Sequence, residues 1–258
     1  MKLISLASGS KGNSYYINSG STSILVDAGL SAKQLSIRMH DMDIDPSKIS
    51  AVFITHEHVD HIGGLRVFAK KTDIPVFMNE KCLLSAKEKY KLDEIKDIHL
   101  FNTGHIIDYQ DIRIHPMSIS HDTSDPVCFT LDDGKYMTGI VTDLGKMNTL
   151  VLTNLKKLDT LILESNHDLN MLKANSRYPE YVKQRIRSAH GHLSNSQSAE
   201  AAVEIIAHGK LKHLMLAHLS ENNNTEAQAA LTYDRYFKEA GIDLPYSFAK
   251  QHQAVKMQ

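Results

Sequence analysis

Residues 53–65 read FITHEHVDHIGGL, and His56-Glu57-His58-Val59-Asp60-His61 within them packs three imidazoles and two carboxylates into six positions. The stretch completes an apolar run, ISAVFITH, that reads as a buried strand, and GGLRVFAKKT after it reads as a helix. Residues two apart on a strand share a face, so His56 and His58 are expected to face one way at the strand's end. Asp60 and His61 then fall in the first turn of the following helix. One corner thereby offers two pairs of ligands to two adjacent points. Neutral imidazole and carboxylate suit Zn²⁺, Mn²⁺ or Fe²⁺. The fourth residue after His56 is Asp60, so the stretch is not HExxH and a helical zincin site is excluded here. Glu57 is expected to point away and make local contacts.

The rest of the 258-residue chain has the material of a soluble α/β (α+β) protein. KLISLAS, SYYINSG and TSILVDAG read as strands, LSAKQLSIRMHDM as an amphipathic helix, IPVFMN as a strand and EKCLLSAKEKY as a helix. Short strands follow around DIHLFN, DIRIHPMSI, PVCFTLDDG and KYMTGIVTD. NTLVLTNLKK leads to a further apolar strand, TLILESNHD. Beyond it YPEYVKQRIRSAH, SQSAEAAVEIIAHG and NTEAQAALTYDRYFKEAG read as helices and LKHLMLAH as a strand. Strands early and alternation later predict sheet layers covered by helices. No Pro- or Ser-rich linker or clear repeat divides the chain, so residues 1–258 are expected to be a single domain.

Composition sets further bounds. The two cysteines, Cys82 and Cys128, sit among apolar residues, which fits a reducing cytosol rather than a disulfide framework. MKLISLASGS has too short an apolar run for a signal peptide, and no run of 18 apolar residues occurs. A cytoplasmic protein with no membrane partner is expected. The net charge of −1 predicts no global attraction to nucleic acid.

A dinuclear site needs more ligands than one corner supplies. His121 after IHPMSIS, Asp143 after GIVT and His218 after LKHLMLA each end an apolar segment, where sheet edges and loops build sites. Singly, an Asp in such a place is as well read as a turn or helix cap. Two features bear on substrate. SGSKGNS (8–14) could offer backbone N–H groups to phosphate, or be a hairpin turn; it is not a P-loop. Residues 173–195, KANSRYPEYVKQRIRSAHGHLSN, set Lys173, Arg177, Lys183, Arg185 and Arg187 against Glu180 alone. They read as a track for a phosphate backbone or as a solvated helix face.

THEHVDHIGG, with the order of these later residues, resembles the metallo-β-lactamase-fold hydrolases over the full chain. LASGSKGNSYYI, SHDTSDPVCFTL, TDLG, ESNHD, GHLSN and LAHLSENNN are similar to the YycJ (WalJ) type. One departure is Cys128, where that group has a small residue. The resemblance implies a four-layer αββα sandwich and two divalent metal ions (Zn, Mn or Fe). His56, His58 and His121 would hold one, Asp60, His61 and His218 the other, and Asp143 would bridge them. It also implies a bacterial cytoplasmic nuclease with 5′-to-3′ exonuclease activity on duplex DNA, working through a hydroxide activated by the metals. Asp60 could also hold the attacking water, and Asp27, after ILV, could orient ligands or merely end a strand. His192 is the candidate acid for the leaving group, with His167 and His190 as weaker candidates. Ser10, Lys11, Asn13, Arg185, Arg187, Ser194 and Asn195 are the candidate substrate contacts. A glyoxalase II-like thioesterase or lactonase could use the same metal site, and a non-catalytic metal-binding module is the third reading.

Overall fold

Consecutive residues of the apolar strands go to different cores. Ile24 and Val26 enter one and Leu25 another; Leu161 and Leu163 enter a third while Ile162 joins the first. Strand side chains alternate between faces, so a strand apolar at every position is buried on both sides. The computed structural model describes residues 1–257 and has the layers this requires.

One seven-stranded sheet contains Lys2–Ala7 (β1), Ser14–Asn18 (β2), Ser23–Val26 (β3), Ala51–Phe53 (β4), Val76–Asn79 (β5) and Ile98–Phe101 (β6). The other contains Ile107–Tyr109 (β7), Ile112–Ser118 (β8), Val127–Asp132 (β9), Met137–Val141 (β10), Thr160–Glu164 (β11), His213–Ala217 (β12) and Tyr246–Phe248 (β13). The last strand, Val255–Lys256 (β14), returns to the first sheet, so the orders are β14-β1-β2-β3-β4-β5-β6 and β13-β12-β11-β10-β9-β8-β7. Each sheet starts antiparallel and turns parallel, from β3 in the first and from β10 in the second.

Parallel neighbours need crossovers, and helices supply them. Ala32–His40 (α1), the single turn Val59–Ile62 (α2), Leu65–Thr72 (α3) and Glu80–Tyr90 (α4) serve the first sheet. Thr149–Leu155 (α5), Leu169–Ala174 (α6), Glu180–Arg187 (α7), Asn195–Ala207 (α8) and Glu226–Ala240 (α9) serve the second. Leu35, Met39 and Phe68 cover one outer sheet face and Val151, Ala202 and Tyr233 the other. Phe53, Phe129 and Met215 fill the space between the sheets. The result is the αββα sandwich. NTLVLTNLKK is the helix α5, started by the Asn148 side chain, which accepts from the Val151 N–H at 2.8 Å. Cys82 and Cys128 are buried and unpaired. Cys128 packs in the seam under α5 and α8. Among the described residues no helix is long and apolar enough to cross a membrane.

The strand into the histidine stretch ends earlier than its apolarity predicts. β4 stops at Phe53, and His56 and His58 lie in a loop, His58 being the residue just before α2. The Asp27 carboxylate is the reason: its Oδ1 accepts the Thr55 N–H at 2.9 Å, removing that donor from the ladder. The corner is also pressed against residues 27–30. Ala28 N–H donates to His61 O at 2.8 Å and Asn13 N–H to Asp60 O at 2.7 Å. Gly29 has no space for a side chain, since a Cβ there would lie 1.7 Å from Asp60 O. Gly29→Ala must therefore displace the corner, and we expect a loss of about 3 kcal/mol in urea denaturation. An unchanged midpoint would show that the contact yields.

Candidate metal centre

Strands β3, β4, β10, β11 and β12 deliver their carboxyl ends to one edge of the sandwich, where sites in open α/β sheets form. Asp27 follows β3 directly, Asp143 lies two residues beyond β10, and His218 follows β12. All three have left-handed backbones, with φ of 63°, 61° and 54°. That conformation costs a residue with a Cβ about 1–2 kcal/mol, and Asp and His are among those that adopt it most readily. Such outliers gather at functional sites because the surroundings over-determine them.

Four of the five imidazoles are held by Nδ1; the exception is His58, whose Nδ1 lies 3.3 Å from His121 Nε2 and whose Nε2 lies 3.8 Å from Asp122 Oδ1. His61 Nδ1 donates to Asp27 Oδ2 at 2.7 Å, while the Thr55 hydroxyl donates to the same oxygen at 2.8 Å. His121 Nδ1 donates to Gly191 O at 3.0 Å, and His218 Nδ1 to Glu164 Oε1 at 3.1 Å. His56 Nδ1 lies 3.0 Å from the Thr55 hydroxyl. Fixing Nδ1 leaves Nε2 to face the site, which is how ligating histidines are usually oriented.

The inward atoms form two triplets. Ligand atoms of His56, His58 and His121 lie within 4.8 Å of one another, as do those of Asp60, His61 and His218. Asp143 sits between them: Oδ1 is 3.8 Å from His121 Nε2 and 3.5 Å from His218 Nε2, and Oδ2 is 3.2 Å from His61 Nε2. His56 Nε2, His218 Nε2 and Asp143 Oδ2 are buried with no hydrogen-bond partner. Buried orphans of this kind, nitrogen and oxygen converging from both sheets, fit divalent cations.

Electrostatics agree with that fit. Burial opposes charge on His61, but Asp143, Asp27 and Asp60 outweigh it and hold its pKa well above the ordinary imidazole value. His218 is raised in the same way to about 10, chiefly by Asp143 against burial. At His56 burial and the neighbouring histidines outweigh Asp143 and hold it well below its usual value. Asp143 is buried, yet His218 and His61 keep it ionised. The carboxylates thus draw positive charge to this edge, from protons or from metal ions.

Glu164 is the functional residue that the sequence reading passed over. It is fully buried, its Oε1 takes His192 Nδ1 at 2.7 Å as well as His218 Nδ1, and its Oε2 accepts the Leu193 and Leu144 N–H groups at 3.0 and 3.2 Å. His192 outweighs burial and brings Glu164 down to about 2. It ends the apolar run TLILE, the signal that marked Asp27 and Asp143. His192 itself is 21% exposed, with its ring centroid 5.1 Å from that of His121 and 5.3 Å from that of His218. His167 is buried, which lowers it to about 4, and His190 is exposed, Nδ1 3.0 Å from the Ser120 hydroxyl. Glu57 reaches far along the chain rather than locally: it accepts the Ser124 N–H at 2.8 Å.

The substrate candidates divide. Asn13 is buried in the centre, with Nδ2 3.2 Å from Asp60 Oδ2 and 3.0 Å from His61 Nε2. Arg185 comes to its edge, Nε donating at 2.8 Å to Asp122, whose other oxygen is 3.4 Å from His121 Nε2. Arg187 pairs with Glu180 on its own helix at 2.9 Å. Ser194 is spent as the cap of α8, and Asn195 is buried in a network with Asn224 and Ser165. Ser10 is exposed, and Lys11 is ion-paired with Glu221 at 2.6 Å. The 8–14 loop is not an open anion cradle, because its N–H groups are taken. Gly9 donates to Asn13 Oδ1, Lys11 to Gln251 Oε1 and Gly12 to Gly9 O.

The sequence profile of the metallo-beta-lactamase superfamily matches residues 7–180. The chain belongs to the metallo-beta-lactamase superfamily. It is 33% identical over 243 residues to the exodeoxyribonuclease YycJ of Bacillus anthracis, covering 94% of this chain and 91% of that one. It is 34% identical over 248 residues to the exodeoxyribonuclease WalJ of Streptococcus pneumoniae, covering 94% and 90%. The metallo-beta-lactamase fold protein YhfI from Bacillus subtilis superposes with a TM-score of 0.74 over 99% of this chain and 98% of its own at 17% identity, which shows the shared fold. As a metallo-beta-lactamase superfamily member the chain is a metal-dependent hydrolase. Asp27→Ala should lower divalent-metal affinity about 10- to 100-fold by releasing His61, read by competition with a chromophoric chelator. Unchanged affinity would leave Asp27 only its role in packing the corner.

Proposed function

We propose that this chain is a cytoplasmic two-metal phosphodiesterase that removes nucleotides from DNA ends, acting 5′-to-3′ on duplex DNA. The observation that carries the reading is the arrival of the basic helix α7 at the centre through Arg185 and Asp122, with His192 in the loop that follows. A thioesterase needs no such cations. The activities named for the two exodeoxyribonuclease relatives agree with it. We take residues 1–258 as one domain, supported by the pairing of β14 with β1.

His56, His58 and His121 would hold one metal ion, Asp60, His61 and His218 the other, with Asp143 between them. When bound, the two cations lower the pKa of water and offset charge on the phosphoryl group. The nitrogen and oxygen donors suit Zn²⁺, Mn²⁺ or Fe²⁺. Asp60 keeps one oxygen toward the centre and orients the attacking water as hydrogen-bond acceptor. Glu164 fixes His192 by Nδ1, so that Nε2 can give a proton to the sugar oxygen leaving phosphorus. The attacking water gives up one proton to solvent as its oxygen bonds to phosphorus, the P–O ester bond breaks, and the proton from His192 completes the leaving hydroxyl.

The test uses metal-free protein reloaded with Mn²⁺ or Zn²⁺ and offered 5′-labelled linear duplex DNA beside a thioester. Metal-dependent release of nucleotides is expected, lost in His58→Ala and Asp143→Ala and reduced about 10²- to 10⁴-fold in kcat by His192→Ala. Thioester cleavage without DNA digestion would move the function to acyl hydrolysis. Arg185→Ala should raise KM on DNA and reduce the slope of log affinity against log salt by about 1. A wild-type slope would make α7 an ordinary solvated face.

A further inference from the structure

Helix α7 has no buried residue, although it joins the core layers to the catalytic loop. Its surface is therefore what the fold presents there. On it stands Tyr181, 74% exposed and the most exposed large apolar side chain among the described residues. Tyr181 lies four residues before Arg185, so the two share a helix face, about 6 Å apart along the axis. Arg185 in turn reaches Asp122 at the rim of the His56, His58 and His121 triplet.

The helix is held rigidly in that place. His192 N–H donates to Ile186 O at 2.9 Å, and Gly191 O takes His121 Nδ1. Gly191 packs so closely that a Cβ would sit 2.2 Å from Ile186 O and 2.3 Å from Arg185 O. The end of α7 that carries Arg185 is thus fixed to the histidine loop by packed backbone. Lys183, its ammonium donating to Lys173 O at 2.8 Å, and the exposed Arg177 add positive charge to the same segment.

An exposed ring one helical turn from Arg185, beside a phosphodiester-cleaving centre, combines the two elements by which proteins hold single strands, base stacking and backbone attraction. We propose that Tyr181 is a stacking platform for a nucleobase at the DNA end, seating the strand while α7's cations meet its phosphates. The proposal rests on the nuclease reading above.

The chain has no tryptophan, so Tyr181→Trp introduces a sole indole reporter. Metal-loaded Tyr181→Trp would be titrated with a phosphorothioate-blocked oligonucleotide, and with the same oligonucleotide made abasic at its end. Binding would be followed independently by anisotropy of a label on the DNA. Quenching by the intact end and little by the abasic end is expected. In turnover, Tyr181→Ala should raise KM on DNA about tenfold with kcat within about twofold. Tyr181→Phe should keep the wild-type KM, and the Ala effect should vanish on abasic ends. Indole emission unchanged while the anisotropy reports binding, or a wild-type KM in Tyr181→Ala, would overturn the platform and leave the nuclease standing. Wild-type protein that neither binds nor cuts DNA would remove the nuclease reading and this proposal with it.

Discussion

Three carboxylates, Asp27, Asp143 and Glu164, are sealed from water at one edge of the sandwich, and much of the local structure exists to satisfy them. An unpaired buried charge is among the most costly things a protein can contain. Each of these has several partners drawn from distant parts of the chain. Asp27 takes Thr55 and His61, and Glu164 takes two backbone N–H groups and two histidines. Asp143 has histidines from both triplets within 3.8 Å but retains an oxygen without a hydrogen bond. The unsatisfied remainder falls at the middle of the cluster, where a cation fits.

This constraint also explains why the loops are tied across the layers. The corner after β4 belongs to the first sheet, yet Thr55 O accepts the N–H of Val127 in the second. His121 hangs from Gly191, and Gly191 is wedged under the end of α7. His61, His121 and His218 are thus aimed by a backbone carbonyl or a fully buried, hydrogen-bonded carboxylate. A centre that must hold two charged triplets close together needs such support, because small displacements cost ligands their alignment.

The αββα layering was legible because strands buried on both faces read as continuous apolar runs, and TSILV and TLILE both do. The residues at strand ends were legible too: Asp27, Asp143 and His218 follow apolar runs that a buried sheet would end. Glu164 obeys the same rule but was passed over beside His167 in ESNHD. Asp122 and the Gly191 carbonyl carry no local signal, because their roles come from contacts across about 70 residues. The early stop of β4 was hidden for a similar reason. ISAVFITH is apolar enough to continue, and only the approach of Asp27 takes the Thr55 N–H away. The glycine-bearing 8–14 loop could be read as an anion cradle or a hairpin turn because the residue that fills it, Gln251, lies 240 positions from Lys11.

That last contact has a consequence for how the molecule comes into being. Gln251 Oε1 accepts the Lys11 N–H, its Nε2 donates to Gly12 O at 3.0 Å, and Arg38 grips its carbonyl at 2.8 Å. The loop thus clamped carries Asn13, whose amide lies against Asp60 and His61. The loop is closed by a residue 240 positions further along the chain. Closing a contact over 240 residues is slow and comes late. Until residue 251 has been made and has folded back, the 8–14 loop lacks its clamp, and Asn13 lacks the support that sets its amide against Asp60 and His61.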